Sequence, residues 1–155
     1  MLLKAKNLFS ARALYALLFF YTLLSAEVLV DPKTYLMWQD SPENKGTLHT
    51  WNEAKEYCES LNEGKFSDWW LPSEQELSSI VDTSRSKGRM IQKGFIYFKP
   101  RHYWTSTTYA WNAPHAWAIS FQNGLSVAVE KEQQLHTRCV RCSDFKRCLE
   151  CFYNK

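Results

Sequence analysis

Ser67-Asp68-Trp69-Trp70-Leu71-Pro72-Ser73-Glu74-Gln75-Glu76-Leu77 is the stretch on which the reading of this chain turns. Adjacent tryptophans carry two large apolar surfaces with one N–H donor each, so they are core material rather than loop filler. Leu71-Pro72 favours an extended approach, because the residue before a proline is pushed out of the helical region. Ser73 and Glu76 then form a capping box, in which a hydroxyl and a carboxylate satisfy amides that the first helical turn leaves unpaired. Leu77, Ile80 and Val81 carry the apolar pattern onward. The run reads as a buried extended corner that turns into a helix.

Upstream, Thr50-Trp51-Asn52-Glu53 is a second capping box, and Trp51, Ala54, Cys58 and Leu61 recur at helical spacing. Gly64 is expected to end that helix in a left-handed conformation. Residues 28–30 and 35–39 read as short strands around Asp31-Pro32, and residues 40–46 as polar turn. Downstream, residues 83–94 form a basic loop interrupted by glycine. Residues 95–98, 103–109, 116–121 and 125–129 are aromatic or β-branched runs, with 136–141 as a closing strand. Asn123-Gly124 is expected to supply two positive-φ residues to a tight hairpin. Two early helices followed by a largely antiparallel sheet describe an α+β domain.

The first 26 residues are a different object. Lys4, Lys6 and Arg12 make a basic start, residues 13–24 are apolar apart from Thr22, and Ser25-Ala26 offers small residues for cleavage. That order describes a secretory signal peptide. Its apolar run is short of the roughly 20 residues that span a bilayer. The expected product is exported, to the periplasm or the cell surface, with no stable membrane span once the signal is removed.

Cleavage also changes the charge balance. Of 19 lysines and arginines three leave with the signal, so 16 face 16 acids and the remaining 129 residues are formally neutral. The charge is unevenly placed: residues 27–82 hold 12 acids against 4 bases, whereas residues 83–129 hold no acid beside Arg85, Lys87, Arg89, Lys93, Lys99 and Arg101. Such an asymmetry marks either a polyanion-binding face or a solvated loop paired with the acidic half. Export argues against nucleic acid as the partner.

No reaction is legible. The five glycines form no phosphate-binding cluster, and neither a Gly-x-Ser-x-Gly elbow nor a His-Glu-x-x-His helix occurs. His49, His102, His115 and His136 are dispersed, and no cofactor is expected. Trp111, in the short connection at residues 110–114, is the best-placed surface aromatic. With Arg101, His102 and His115 it makes the candidate ligand-binding set.

Five cysteines in an exported chain are first disulfide material. The end of the chain carries Cys139-x-x-Cys142 and Cys148-x-x-Cys151. A local bond among Cys142, Cys148 and Cys151, a disulfide-linked dimer, and a zinc site all remain open at this point.

Seven pieces, taken in order, resemble one family. They are Asp31 with Thr34 to Gln39, Thr50 to Ala54 with Tyr57-Cys58, Ser67 to Ser73 with Glu76-Leu77, Tyr103 to Tyr109, Ala116-Trp117, Phe121 with Asn123-Gly124, and Arg138 to Arg141. This set resembles the Lcl C-terminal domain family, whose fold is related to C-type lectins and formylglycine-generating enzymes. The resemblance covers the domain taken as residues 27–141, leaving residues 142–155 as a cysteine-containing tail. It implies a C-type-lectin-like domain, two early helices on a mostly antiparallel sheet, with Cys58 paired to Cys139. Lectin-type calcium binding is not carried over, because Ala113 stands where an acid would follow Trp111-Asn112. Nor is copper oxidase chemistry, because no cysteine lies between Thr83 and Leu135, and no metal site is expected. Two departures stand out: Tyr35 where the family usually has glycine, and Trp70 where it usually has arginine.

The expected function is therefore a non-catalytic binding module for an envelope or extracellular ligand, an anionic polysaccharide or a protein. The alternative is a structural or assembly component of the envelope, linked through its cysteine tail.

Overall fold

The computed structural model describes residues 28–152; the signal peptide expected over residues 1–26 lies outside them. Along the chain the elements are β1 (Val28–Val30), β2 (Leu36–Gln39), α1 (Glu43–Gly46), β3 (Leu48–His49), α2 (Trp51–Ser60) and α3 (Glu74–Ser78). They continue with β4 (His102–Thr108), β5 (His115–Ser120), β6 (Ser126–Glu130), β7 (Leu135–His136), β8 (Val140–Cys142) and α4 (Phe145–Phe152). The class is α+β. One sheet has three strands in the order β1-β2-β8, all antiparallel, and the other five in the order β3-β7-β4-β5-β6, antiparallel except for one parallel pairing between β4 and β7.

The tryptophan corner joins the two halves of the core. In an extended segment successive side chains point to opposite sides, and the paired indoles use this. Trp69 is buried with Trp51, Ala54, Cys58, Leu71, Trp104, Ala116, Ala118 and Cys139. Trp70 packs against the other cluster, built on Leu36, Trp38, Leu77, Tyr103, Phe121 and Val140. The Trp70 backbone exchanges two hydrogen bonds of 2.9 Å with Val140, and Ser106 N–H donates to the Pro72 carbonyl. The indole N–H of Trp70 donates to Oε2 of the buried Glu76, at 3.2 Å, and the Ser73 amide donates to the same oxygen. The Trp70 side chain thus adds one indole donor to the Glu76 carboxylate beside its packing and its backbone pairing with Val140.

Both capping boxes are present, at Thr50/Glu53 and Ser73/Glu76. The boundaries differ from the expected ones. α2 stops at Ser60, and Leu61 is already extended. Gly64 (φ 61°) and Lys65 (φ 69°) instead form the two left-handed positions of a tight turn closed by reciprocal Glu63–Phe66 bonds. α3 ends at Ser78, two residues past the Glu76 of its box, so Ile80 and Val81 lie beyond it. At the β5–β6 turn Gly124 alone has positive φ (73°), while the Asn123 side chain accepts from the Leu125 amide. The closing strand is divided: His136 belongs to the five-stranded sheet and Val140 to the three-stranded one, with Arg138 buried between.

Residues 95–98 are not a strand, and the reason is electrostatic. The Ile96 and Tyr97 amides donate to the Asp40 carboxylate at 2.8 and 3.0 Å. Arg138, fully buried, pairs with Asp40 at 3.2 Å, donates to the carbonyls of Gln39 and Tyr97, and lies over the Phe95 ring. A buried ion pair satisfies the backbone groups that a neighbouring strand would otherwise take.

Tyr35 holds a positive φ of 57°. That backbone region is free for glycine and costs other residues roughly 1–2 kcal/mol. The side chain has a use there: its hydroxyl accepts from Arg147 at 3.0 Å, and the Arg147 guanidinium sits 5.0 Å from the ring centre. With Ser143 donating to the Tyr35 carbonyl, this fastens α4 to the domain.

Candidate functional site

The β4–β5 hairpin sets the geography. His102 pairs with Ser120 at one end, and Thr108 pairs with Ala116 at the other. Arg101 and His102 therefore sit beside the β5–β6 turn, while Trp111 and His115 sit at the β4–β5 loop. Across the 7 residues of β4, the steps from His102 to Thr108 at about 3.3 Å each separate the two pairs by roughly 20 Å. The structure does not bring the four sequence candidates into one site; it makes two ends.

At the loop end Trp111 is 87% exposed. Tyr109 makes edge contacts with both His115 and Trp117. Lys131 donates to the Ala113 carbonyl and its ammonium lies 4.5 Å from the Trp51 ring centre, so that cation is committed to holding the loop.

The other end is where the acid-free segment gathers. Phe121 N–H donates to the Arg101 carbonyl, Met90 N–H to the Phe121 carbonyl, and Gly88 N–H to the Gln122 carbonyl. These bonds thread the 87–90 and 99–101 segments along either side of the β5–β6 turn. Lys87, Arg89, Lys99 and Arg101 are exposed there, and among the described residues none of them has a carboxylate partner in a salt bridge. The Lys99 amide donates to the Tyr103 hydroxyl at 2.8 Å, which fixes its position. Arg85 is different, because its guanidinium donates to the Ile91 and Gln92 carbonyls and braces its own loop. It does not belong with the free cations.

Beside these cations lies a cleft of about 200 Å³ lined by Leu48, Arg101, His102, Gln134, Leu135 and His136. His102 and His136 both hold their protons less readily than ordinary histidine. Burial is the larger cause in each, followed by Arg101 at His102 and by Lys99, Arg101 and Arg138 at His136. The sequence order had marked His136 only as a strand residue; the β3–β7–β4 pairing brings it beside His102, and no spacing rule announces that.

The structure joins Cys58 to Cys139 (S–S 2.05 Å), and Cys142 to Cys148. Bonded cysteines are not thiolate ligands, so the zinc reading of the tail is set aside. Among the described residues no group of three or more histidine, cysteine or acidic side chains is arranged to hold a metal ion, and no helix is long and apolar enough to cross a membrane. No curated protein matches the chain. A family model, that of the Lcl C-terminal domain, matches residues 27–141.

Proposed function

The chain belongs to the Lcl C-terminal domain family, and from that premise we propose an exported, non-catalytic module that binds an anionic ligand through the basic end of its five-stranded sheet. An anionic polysaccharide of the envelope or the extracellular space fits best, with an acidic protein surface as the other form of the same chemistry. The observation that carries this reading is the group of exposed, unpaired cations Lys87, Arg89, Lys99 and Arg101 around one turn. Unpaired surface cations on one side raise the local concentration of a polyanion and its rate of arrival.

A C-type-lectin-like arrangement, with α2 and α3 seated against the sheets, is part of the proposal. Its support is the cluster that α2 residues Trp51, Ala54 and Cys58 share with sheet residues Trp104, Ala116 and Ala118. Two disulfides support an oxidising, exported location.

The test is binding of the full chain to sulfated and uronic polysaccharides beside a neutral one. Replacing Lys87, Arg89, Lys99 and Arg101 by glutamine should abolish binding, and Trp111→Ala at the opposite end should leave it. Equal loss in both variants, or retention in the first, removes the assignment to this end.

A second reading is kept because the two disulfides use four of the five cysteines and Cys151 is the fifth. In that reading the protein is an envelope assembly component joined through its tail. A dimer band on non-reducing gels that disappears in Cys151→Ser supports it, and a monomer in both counts against it.

A further inference from the structure

We propose that the cleft between Leu48 of β3, Leu135 and His136 of β7, and Arg101-His102 at the start of β4 is a binding site for one compact anionic group, a carboxylate, phosphate or sulfate, that is bound together with protons. The inference rests on the anionic-ligand reading above and adds the group that is gripped and the condition that controls it.

The cleft is cationic on one side and apolar on the other. Arg101 is exposed and without a carboxylate partner among the described residues, while Leu48 and Leu135 offer surface to the carbon frame that carries the anion. His136 is 8% exposed, and its ring is stacked on Tyr103 with centres 5.2 Å apart. Its Nδ1 is buried and has no hydrogen-bond partner among the described residues. At about 200 Å³ the cleft suits a single small group rather than a length of polymer.

The surroundings of the two histidines decide the coupling. The charges acting on His136 are Lys99 and Arg101 from the segment before β4 and Arg138 from its own segment, and Arg101 acts on His102. The other titratable groups packed here are Tyr103 on β4, whose phenol burial keeps protonated, and His49 on β3, whose protonation burial disfavours and the Glu53 carboxylate favours. No carboxylate is among the charges on either cleft histidine. Burial and these cations therefore both disfavour the protonated form of each cleft histidine. An anion entering the cleft replaces repulsion with attraction, so both histidines take up protons from solvent, and by linkage the anion binds more tightly as pH falls.

The experiment follows histidine ring signals by NMR while the full chain is titrated at constant ionic strength with sulfate, phosphate, glucuronate or glucose. The expected result is saturable binding of the three anions and not of glucose. His102 and His136 then titrate at higher pH in the bound state than in the free protein. Affinity climbs by up to about tenfold per pH unit for each proton taken up. Preference for glucuronate points to a sugar acid as source, and preference for sulfate or phosphate to an ester. Arg101→Gln and His102→Gln, each folded by the unchanged dispersion of its other signals, should each weaken binding at least tenfold.

No response of His102 and His136 to the anions, pH-independent affinity, or wild-type binding by both variants overturns the proposal. Sulfated polysaccharide that still binds when the small anions leave His102 and His136 unmoved overturns the cleft alone. Small anions that bind the cleft while no polysaccharide binds overturn the polymer reading and support the cleft.

Discussion

Asp40→Ala tests the electrostatic seam between the two halves of the fold. Asp40 accepts the amides of Ile96 and Tyr97 and pairs with Arg138 at 3.2 Å, and both side chains are buried. The substitution leaves two part-buried amide donors, of Ile96 and Tyr97, without their acceptor, each at no more than about 1–3 kcal/mol because water reaches part of this segment. It also strands a buried guanidinium, for which loss of one partner from a buried pair costs about 3–5 kcal/mol. The two costs describe the same lost carboxylate, so they overlap, and the expected loss is about 3–5 kcal/mol. Against the roughly 5–15 kcal/mol that holds a domain together, this is a large fraction. The assay is urea unfolding without reductant, followed by tryptophan fluorescence. Removing the second charge as well, with Arg138→Met, should recover part of the loss, because the stranded cation disappears, and only part, because the two amides and the Gln39 and Tyr97 carbonyls that Arg138 served stay unsatisfied. A loss below about 1 kcal/mol in Asp40→Ala, or a double variant no more stable than the single, would refute the reasoning.

Three further outcomes are expected. Tyr35→Gly relieves a left-handed backbone by roughly 1–2 kcal/mol but removes the hydroxyl and ring that hold Arg147, so limited proteolysis should cut the tail sooner while the unfolding midpoint holds or rises. Breaking Cys58–Cys139, which closes a separation of 81 residues, should cost about 4–5 kcal/mol by loop entropy, against about 2 for Cys142–Cys148 with its separation of 6, as read from urea midpoints of the paired serine variants. Acidification should lower the urea midpoint: burial depresses His49, His102 and His136, so the unfolded chain gains protons first as pH falls through about 6.5. That loss levels off once the folded histidines titrate, and a midpoint that rises over the same window contradicts it.

Sequence reasoning saw the parts of this fold that are local. A capping box is contained in four residues, and both stand where Thr50/Glu53 and Ser73/Glu76 placed them. The Trp69-Trp70 corner was legible as core material, and the structure buries Trp69 fully and Trp70 in part. What the sequence hid is that the two rings serve different clusters, which depends on where β8 and β4 pass. Residues 95–98 look like a strand and are not, because Asp40 and Arg138, distant in sequence, take over their backbone bonds. The candidate site was half legible for the same reason. Arg101 and His102 stood out by lying in an acid-free run, but their distance from Trp111 and their closeness to His136 are set by strand register. Arg85 counted as a free cation in the sequence, and only coordinates show it spent on the Ile91 and Gln92 carbonyls.

The most direct test of the central claim is the salt dependence of binding between the full chain and a sulfated polysaccharide, compared with the variant in which Lys87, Arg89, Lys99 and Arg101 are glutamine. Exposed charges are screened over about 10 Å at 0.1 M salt. The account predicts wild-type affinity that falls steadily as salt rises, and little or no binding by the variant at any salt. Affinity indifferent to salt, or a variant that follows the wild-type curve, would contradict it.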